Sequence, residues 1–205
     1  KEDARELRNV IASLGGLDEE KILNKKASFS SNEDIVSVNY IGNNPDNSEI
    51  PTYEIEVYSL ASGQVNMGTF LPNTNPALPP DTYSFDVLIN DLNYEFQYNI
   101  REGETNRDIH ERLTKLVNSA EIGLHADVIE DGKGNTSIRL RSVSEGMKNN
   151  DTPLFIISDE HTSKQPGSVA YFGLDYLARP ASNAEFSLNG ERMASASNRF
   201  TIDKM

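Results

Sequence analysis

The sequence contains no cysteine among its 205 residues. Disulfides, thiolate metal sites and cysteine nucleophiles are therefore excluded, and bonding gives no clue to the redox compartment. There is no run of about 18 apolar residues, the length that a membrane-spanning helix needs. Positive charge is scarce: 19 Lys and Arg stand against 32 Asp and Glu, a net charge of −13. Such a chain repels phosphate backbones and anionic lipid surfaces, and no cluster of Lys or Arg offsets this. Neither nucleic acid nor membrane is expected as a partner. The chain opens at Lys1 in a polar, helix-like stretch with no secretory signal. It ends soon after a strand-like segment at 198–202. Both ends are those expected of a piece of a longer protein.

Motifs that would carry catalysis are also missing. The three histidines, His110, His125 and His161, have no H-x-x-x-H or H-E-x-x-H spacing, so a zinc site is not expected. They read as surface or boundary residues. The acidic loops at 43–49 and 131–135 lack the twelve-residue calcium pattern with its closing Glu, and Asx-Gly turns account for them. No G-x-S-x-G occurs, and residues 63–68 have too few glycines, and no Lys-Ser/Thr ending, for a phosphate loop. Glu54 and Glu56 share one strand face and read as a solvated face rather than a glycosidase pair. The expectation is a non-enzyme with no cofactor and no metal.

Hydrophobic periodicity supplies the positive content. Leu7, Val10, Ile11 and Leu14 fall at helical spacing and Gly15-Gly16 closes that stretch. One amphipathic helix of this length is marginal alone. These four residues are the candidate interaction residues, packing against a second helix or, as the alternative, on the chain's own sheet. Alternation predicts a strand at 34–40 and another at 52–61, where Tyr53, Ile55 and Val57 oppose Glu54 and Glu56. Four prolines in residues 72–81 mark a boundary. After them, Tyr83, Phe85, Val87 and Ile89, a turn at 90–93, then Tyr94, Phe96, Tyr98 and Ile100 predict a hairpin with an aromatic face. Thr105 is a good helix N-cap with Asp108 as its capping-box acid. The helix is expected to bury Ile109, Leu113, Leu116, Val117 and Ala120 and to end at Gly123. Strands follow at 124–129 and 137–141, then a short one at 154–157. Asn189-Gly190 lies between two further strands in the tail. The order β-β-α-β-β argues a small α+β domain with the helix on a sheet face.

Several landmarks carry a family resemblance. The hydrophobic strand before Gly103-Glu104-Thr105, the helix end Leu116–Ala120 and the run Ile122–Val128 look like the module inserted in flagellin-family proteins. In the tail, "NAEFSLNG" at 183–190 and "SASNR" at 195–199 resemble "A-x-F-x-x-N-G" then "S-S-N" of the flagellar filament cap family, hook-associated protein 2. "ASFSSN" at 27–32 and "YEIEVYSLA" at 53–61 are similar to that family too, in the family's order. The long coiled terminal segments of the family are missing.

The turn signals let the two tail strands return to pair with the strands before the prolines, which argues an α+β fold of two small mixed domains, the second inserted in the first. Residues 1–32 would be a partial leg helix and connector. Residues 33–78 with 178–205 would form a discontinuous β-rich plate domain, and 79–177 the inserted module. The resemblance implies an extracellular, homo-oligomeric cap at the flagellar filament tip that promotes flagellin folding and insertion. Its partners would be further copies of itself, flagellin and hook–filament junction proteins. In some members the exposed plate contacts host mucin. The alternative function is an adhesin binding host mucin or glycan, for which the Tyr94, Phe96 and Tyr98 stripe would be the sugar platform. At alternate strand positions such a stripe is more often core.

Overall fold

The computed structural model describes residues 28–39, 52–147 and 152–202. The chain divides into two compact units, Lys1–Ile55 and Glu56–Met205. The expected helix with Leu7, Val10, Ile11 and Leu14 lies outside the described residues, as does the 43–49 loop.

In the first unit the expected strand at 34–40 does not form over its described residues. Residues 33–35 are a turn. Asn32 Oδ1 accepts the Asp34 N–H at 3.2 Å, and the Asn32 carbonyl accepts those of Ile35 and Val36 at 3.2 and 3.1 Å. These local bonds take up the amides that a strand ladder would use. Ile35 and Val38 are left exposed.

Among the described residues the strands are β1 (Ile55–Ser59), β2 (Val65–Met67), β3 (Leu71–Pro72), β4 (Asp81–Ile89) and β5 (Leu92–Ile100). After helix α1 (Asn106–Ser119) come β6 (Leu124–Glu130), β7 (Asn135–Ser142) and β8 (Phe155–Ser158). Helix α2 (Ser168–Phe172) precedes β9 (Leu177–Arg179), β10 (Ala184–Leu188) and β11 (Glu191–Ser195). They build three sheets: β5-β4-β8, a five-stranded sheet in which β7 lies between β6 and the β2/β3 run with β9 outside β2, and β1-β10-β11.

The long hairpin β4–β5 pairs Asp81 with Ile100 through to Ile89 with Leu92. Its turn is two residues, not the expected four: Asn90 and Asp91 have φ of 51° and 63°. Positive φ at both positions is the type I′ requirement, which matches the right-handed strand twist. Tyr83, Phe85, Val87, Ile89, Phe96, Tyr98 and Ile100 are all buried on one face. The β10–β11 hairpin uses the same device at Asn189-Gly190, with φ of 52° and 84°.

Helix α1 is capped as predicted. Thr105 Oγ1 accepts the Asp108 N–H at 3.3 Å, and Asp108 Oδ2 accepts the Thr105 N–H at 2.9 Å. Ile109, Leu113 and Val117 are buried and Leu116 partly so. Ala120, expected in the core, is exposed because α1 ends at Ser119 and Ala120 is only its C-cap. The two hairpins flanking α1 belong to different sheets. Phe85 and Ile157 from one sheet, Leu113 and Val117 from α1, and Leu124 and Ile138 from the other line one cavity of about 10 Å³. The core therefore lies between two sheets with α1 packed into it, and the apolar faces of all three are removed from water together.

Candidate functional site

Ala61–Gly63, the 145–147 loop, Ala181–Asn183 and the Ser195–Asn198 segment converge where the chain passes between the β1-β10-β11 sheet and the larger body. Ser62 and Ser182 exchange both main-chain hydrogen bonds, at 2.9 and 3.1 Å, and their hydroxyls lie 2.9 Å apart. Asn198 acts as a substitute strand for Ala61: its Oδ1 accepts the Ala61 N–H at 2.7 Å and its Nδ2 donates to the Ala61 carbonyl at 3.0 Å. Asn183 Oδ1 accepts the Met147 N–H at 2.7 Å. Gly146 has φ +68°, and a Cβ there would stand 2.1 Å from the Ala196 carbonyl oxygen. Gly63 is confined too, since a Cβ would meet Ser142 Oγ at 2.6 Å and the Ser142 carbonyl oxygen at 2.9 Å. The tail motif that carried the resemblance thus closes this junction, with Asn183 and Asn198 as its polar pins.

Beside the junction, the five-stranded sheet turns its outer face to solvent. Strand register builds a row across four strands there: His125 opposite Arg141, Arg141 opposite Val65, and Val65 opposite Arg179. Directly opposed residues share a face. With about 4.8 Å between strands, the row spans roughly 14 Å at the Cα atoms. A groove of about 290 Å³ runs along it, bounded at the junction by Gly63 and Glu145. Val65 is 8% exposed at its floor. One step along, Asp127 bridges Arg139 at 2.7 Å and Arg141 at 3.0 Å. Arg179 has no ion pair among the described residues. In a chain of net charge −13, this face gathers three arginines and a histidine.

The histidines separate in the fold. His125 is exposed in the cationic row, on the side opposite the apolar residues of β6, and His161 is exposed. His110 is 0% exposed, which corrects its expected place at the surface. Its Nδ1 lies 2.9 Å from Thr136 Oγ1, and the ring stands edge-on to Phe172 at 5.2 Å. Burial pushes its pKa down to about 4. The helical period placed His110 one residue off the apolar stripe. Only the docking of Thr136 and Phe172 widened the buried face to include it.

Phe96 and Tyr98 are buried, so the aromatic stripe is core and presents no sugar platform. The Asp131 carboxylate accepts from the Lys133 N–H at 2.7 Å and from Asn135 Nδ2 at 2.6 Å, the bonding of an Asx turn. The Asn135 side chain, then the Lys133 N–H, hold its pKa below the usual carboxylate range. Within residues 63–68, Val65–Met67 form strand β2, and Gln64 beside it and Asn66 within it are each 2% exposed. Their polarity gave no sign of burial in the sequence.

No described protein family matches the sequence, and no curated protein does. Solved structures do. The D2-D3 domains of the flagellar cap protein FliD from Serratia marcescens match at 15% identity over 75% of this chain and 82% of that one, with a TM-score of 0.53. The D2-D3 domains of FliD from Escherichia coli match at 20% identity over 73% of this chain and 75% of that one, with a TM-score of 0.51. The longer D1-D2-D3 chain from Escherichia coli is matched over 42% of its length, at 20% identity and a TM-score of 0.50. The chain has the α+β fold of flagellar cap D2-D3 domains.

Proposed function

We propose that this chain is the outer, D2-D3 part of a flagellar filament cap protein. The observation that carries the proposal is the shared fold with FliD D2-D3 domains. The sequence landmarks of the cap family support it, because Asn183 and Asn198 of the tail motif close the junction between sheets. The role is structural: a homo-oligomer at the extracellular tip of the filament that promotes the folding and insertion of flagellin, with flagellin and hook–filament junction proteins as its partners.

The domain division is part of the proposal. Strand β1 lies beside β10 in one sheet, which supports a discontinuous plate domain around an inserted module. Strands β2 and β3, although they precede the prolines, hydrogen-bond to β7 in the module's sheet. The junction at 61–63 and 181–183 is therefore a better boundary than residue 78. Leu7, Val10, Ile11 and Leu14 remain the proposed apolar face of a leg helix.

The test is native mass and negative-stain imaging of the intact protein. A ring or plate is expected. A strictly monomeric protein across a wide concentration range would remove the cap mechanism.

A further inference from the structure

We infer that the His125–Arg141–Val65–Arg179 row docks on a second copy of this chain, on the outer face of its β5-β4-β8 sheet. The inference rests on the cap reading and names the surfaces that would join neighbouring subunits.

The receiving face is set by register. Asp86 of β4 lies directly opposite Glu95 of β5, on the face that points away from the buried Phe85 and Val87. Like charges directly opposed across two strands destabilise a sheet unless a cation approaches them. Neither carboxylate has an ion pair among the described residues. Ser163 donates its hydroxyl and its N–H to Glu95 Oε1 at 2.6 and 2.8 Å, which keeps that carboxylate in its charged form. One step along the same face, Leu88 lies opposite Ile156 of β8, and they are 43% and 46% exposed. The face is thus an acidic pair next to an apolar pair.

The opposing surface has the complementary parts. Arg179 has no ion pair among the described residues, Arg141 shares Asp127 with Arg139, and Val143 at the groove is 68% exposed. Arginine suits this place because its planar fork meets a carboxylate through two hydrogen bonds and is weakly hydrated. A second copy is the occupant that the charge balance favours, since a chain of net charge −13 otherwise repels itself and this row sets Arg141 and Arg179 against the acidic pair. The inner faces of the two sheets share one core, so the two outer faces are different patches on one molecule. Contact between unlike patches is heterologous, and such contacts generate rings when the rotation closes.

The test is sedimentation velocity of the intact protein at 50 and 500 mM salt, with thermal melts to verify folding. Arg179→Glu and Asp86→Arg should each weaken self-association at least tenfold. The double variant, with the charges exchanged between the two faces, should recover most of it. High salt should weaken the wild type and leave the singles little changed. Association of the wild type with no loss in either single, or with no recovery in the double, would overturn this assignment and leave the cap reading standing. A wild type that never associates would overturn both. Arg179→Glu lies on an exposed edge strand. If it nevertheless melts early, Asp86→Arg alone decides between these outcomes.

Discussion

His110 shows what one buried titratable group does to stability. Its ring is neutral in the fold, with a pKa near 4 against an ordinary 6.5. The unfolded chain therefore binds the proton first as pH falls. The stabilisation is fully present above pH 6.5 and is lost between there and about pH 4, a loss on the order of 3 kcal/mol. His110→Gln is expected to be less stable than wild type at pH 7, through lost packing against Phe172. Its further loss between pH 7 and 4.5 should be smaller. Urea unfolding midpoints at the two pH values measure this, and equal losses in both proteins would show that other groups govern the acid sensitivity. The sequence showed that His110 has no metal-ligand spacing. Its burial could not be read there, because it depends on Thr136, 26 positions along the chain.

At the scale of elements, local chemistry was legible wherever the bonds involved stay local. The Thr105 and Asp108 side chains each accept the other's backbone N–H within one turn of α1. Thr105→Ala should cost about 1 kcal/mol and Thr105→Ser much less. Hydrogen exchange at the first amides of α1 is the measurement, and unchanged protection in the Ala variant would show that tertiary packing alone holds the helix start. The Asn189-Gly190 turn was legible for the same reason, and the turn at Asn90-Asp91 was legible in place but not in length, since Leu92 and Asn93 pair with Ile89 and Leu88. The predicted strand at 34–40 failed because Asn32 supplies a turn that competes for the same amides. Strand β9 and helix α2 gave no periodic signal. Strand β9 is three exposed residues held by β2, and α2 is five residues whose start is fixed by Asp159 Oδ2 accepting from the Gly167 and Val169 N–H groups at 2.7 and 3.0 Å.

At the scale of the whole unit, Gln64 fastens one sheet to the other. Its Oε1 accepts the Leu154 and Phe155 N–H groups at 2.7 and 3.3 Å, and its Nε2 donates to the Phe155 carbonyl at 2.9 Å. The same Nε2 donates to Asn66 Oδ1 at 3.0 Å, and Asn66 Nδ2 in turn donates to the Leu174 carbonyl at 3.0 Å. Gln64→Leu keeps the volume and the burial but strands these main-chain groups. A buried donor or acceptor left unmade costs about 1–3 kcal/mol, so a loss of about 3 kcal/mol or more is expected in urea unfolding. A neutral result would mean that the β8 backbone finds other partners. Isolated in a polar stretch, Gln64 carried no mark of this role.

The sequence by itself determined the acidic character of the protein, the absence of thiol chemistry, the two hairpins, the capped helix and the landmarks of the cap family. Each depends on composition or on residues within a few positions of one another. Only the tertiary structure decided that the hairpins flanking α1 enter different sheets, that Gln64, Asn66 and His110 are buried, and that Arg141 and Arg179 come to stand on either side of Val65. Those outcomes depend on strand register and on layer packing between segments far apart in the chain, where no local pattern of polarity records which face will meet water.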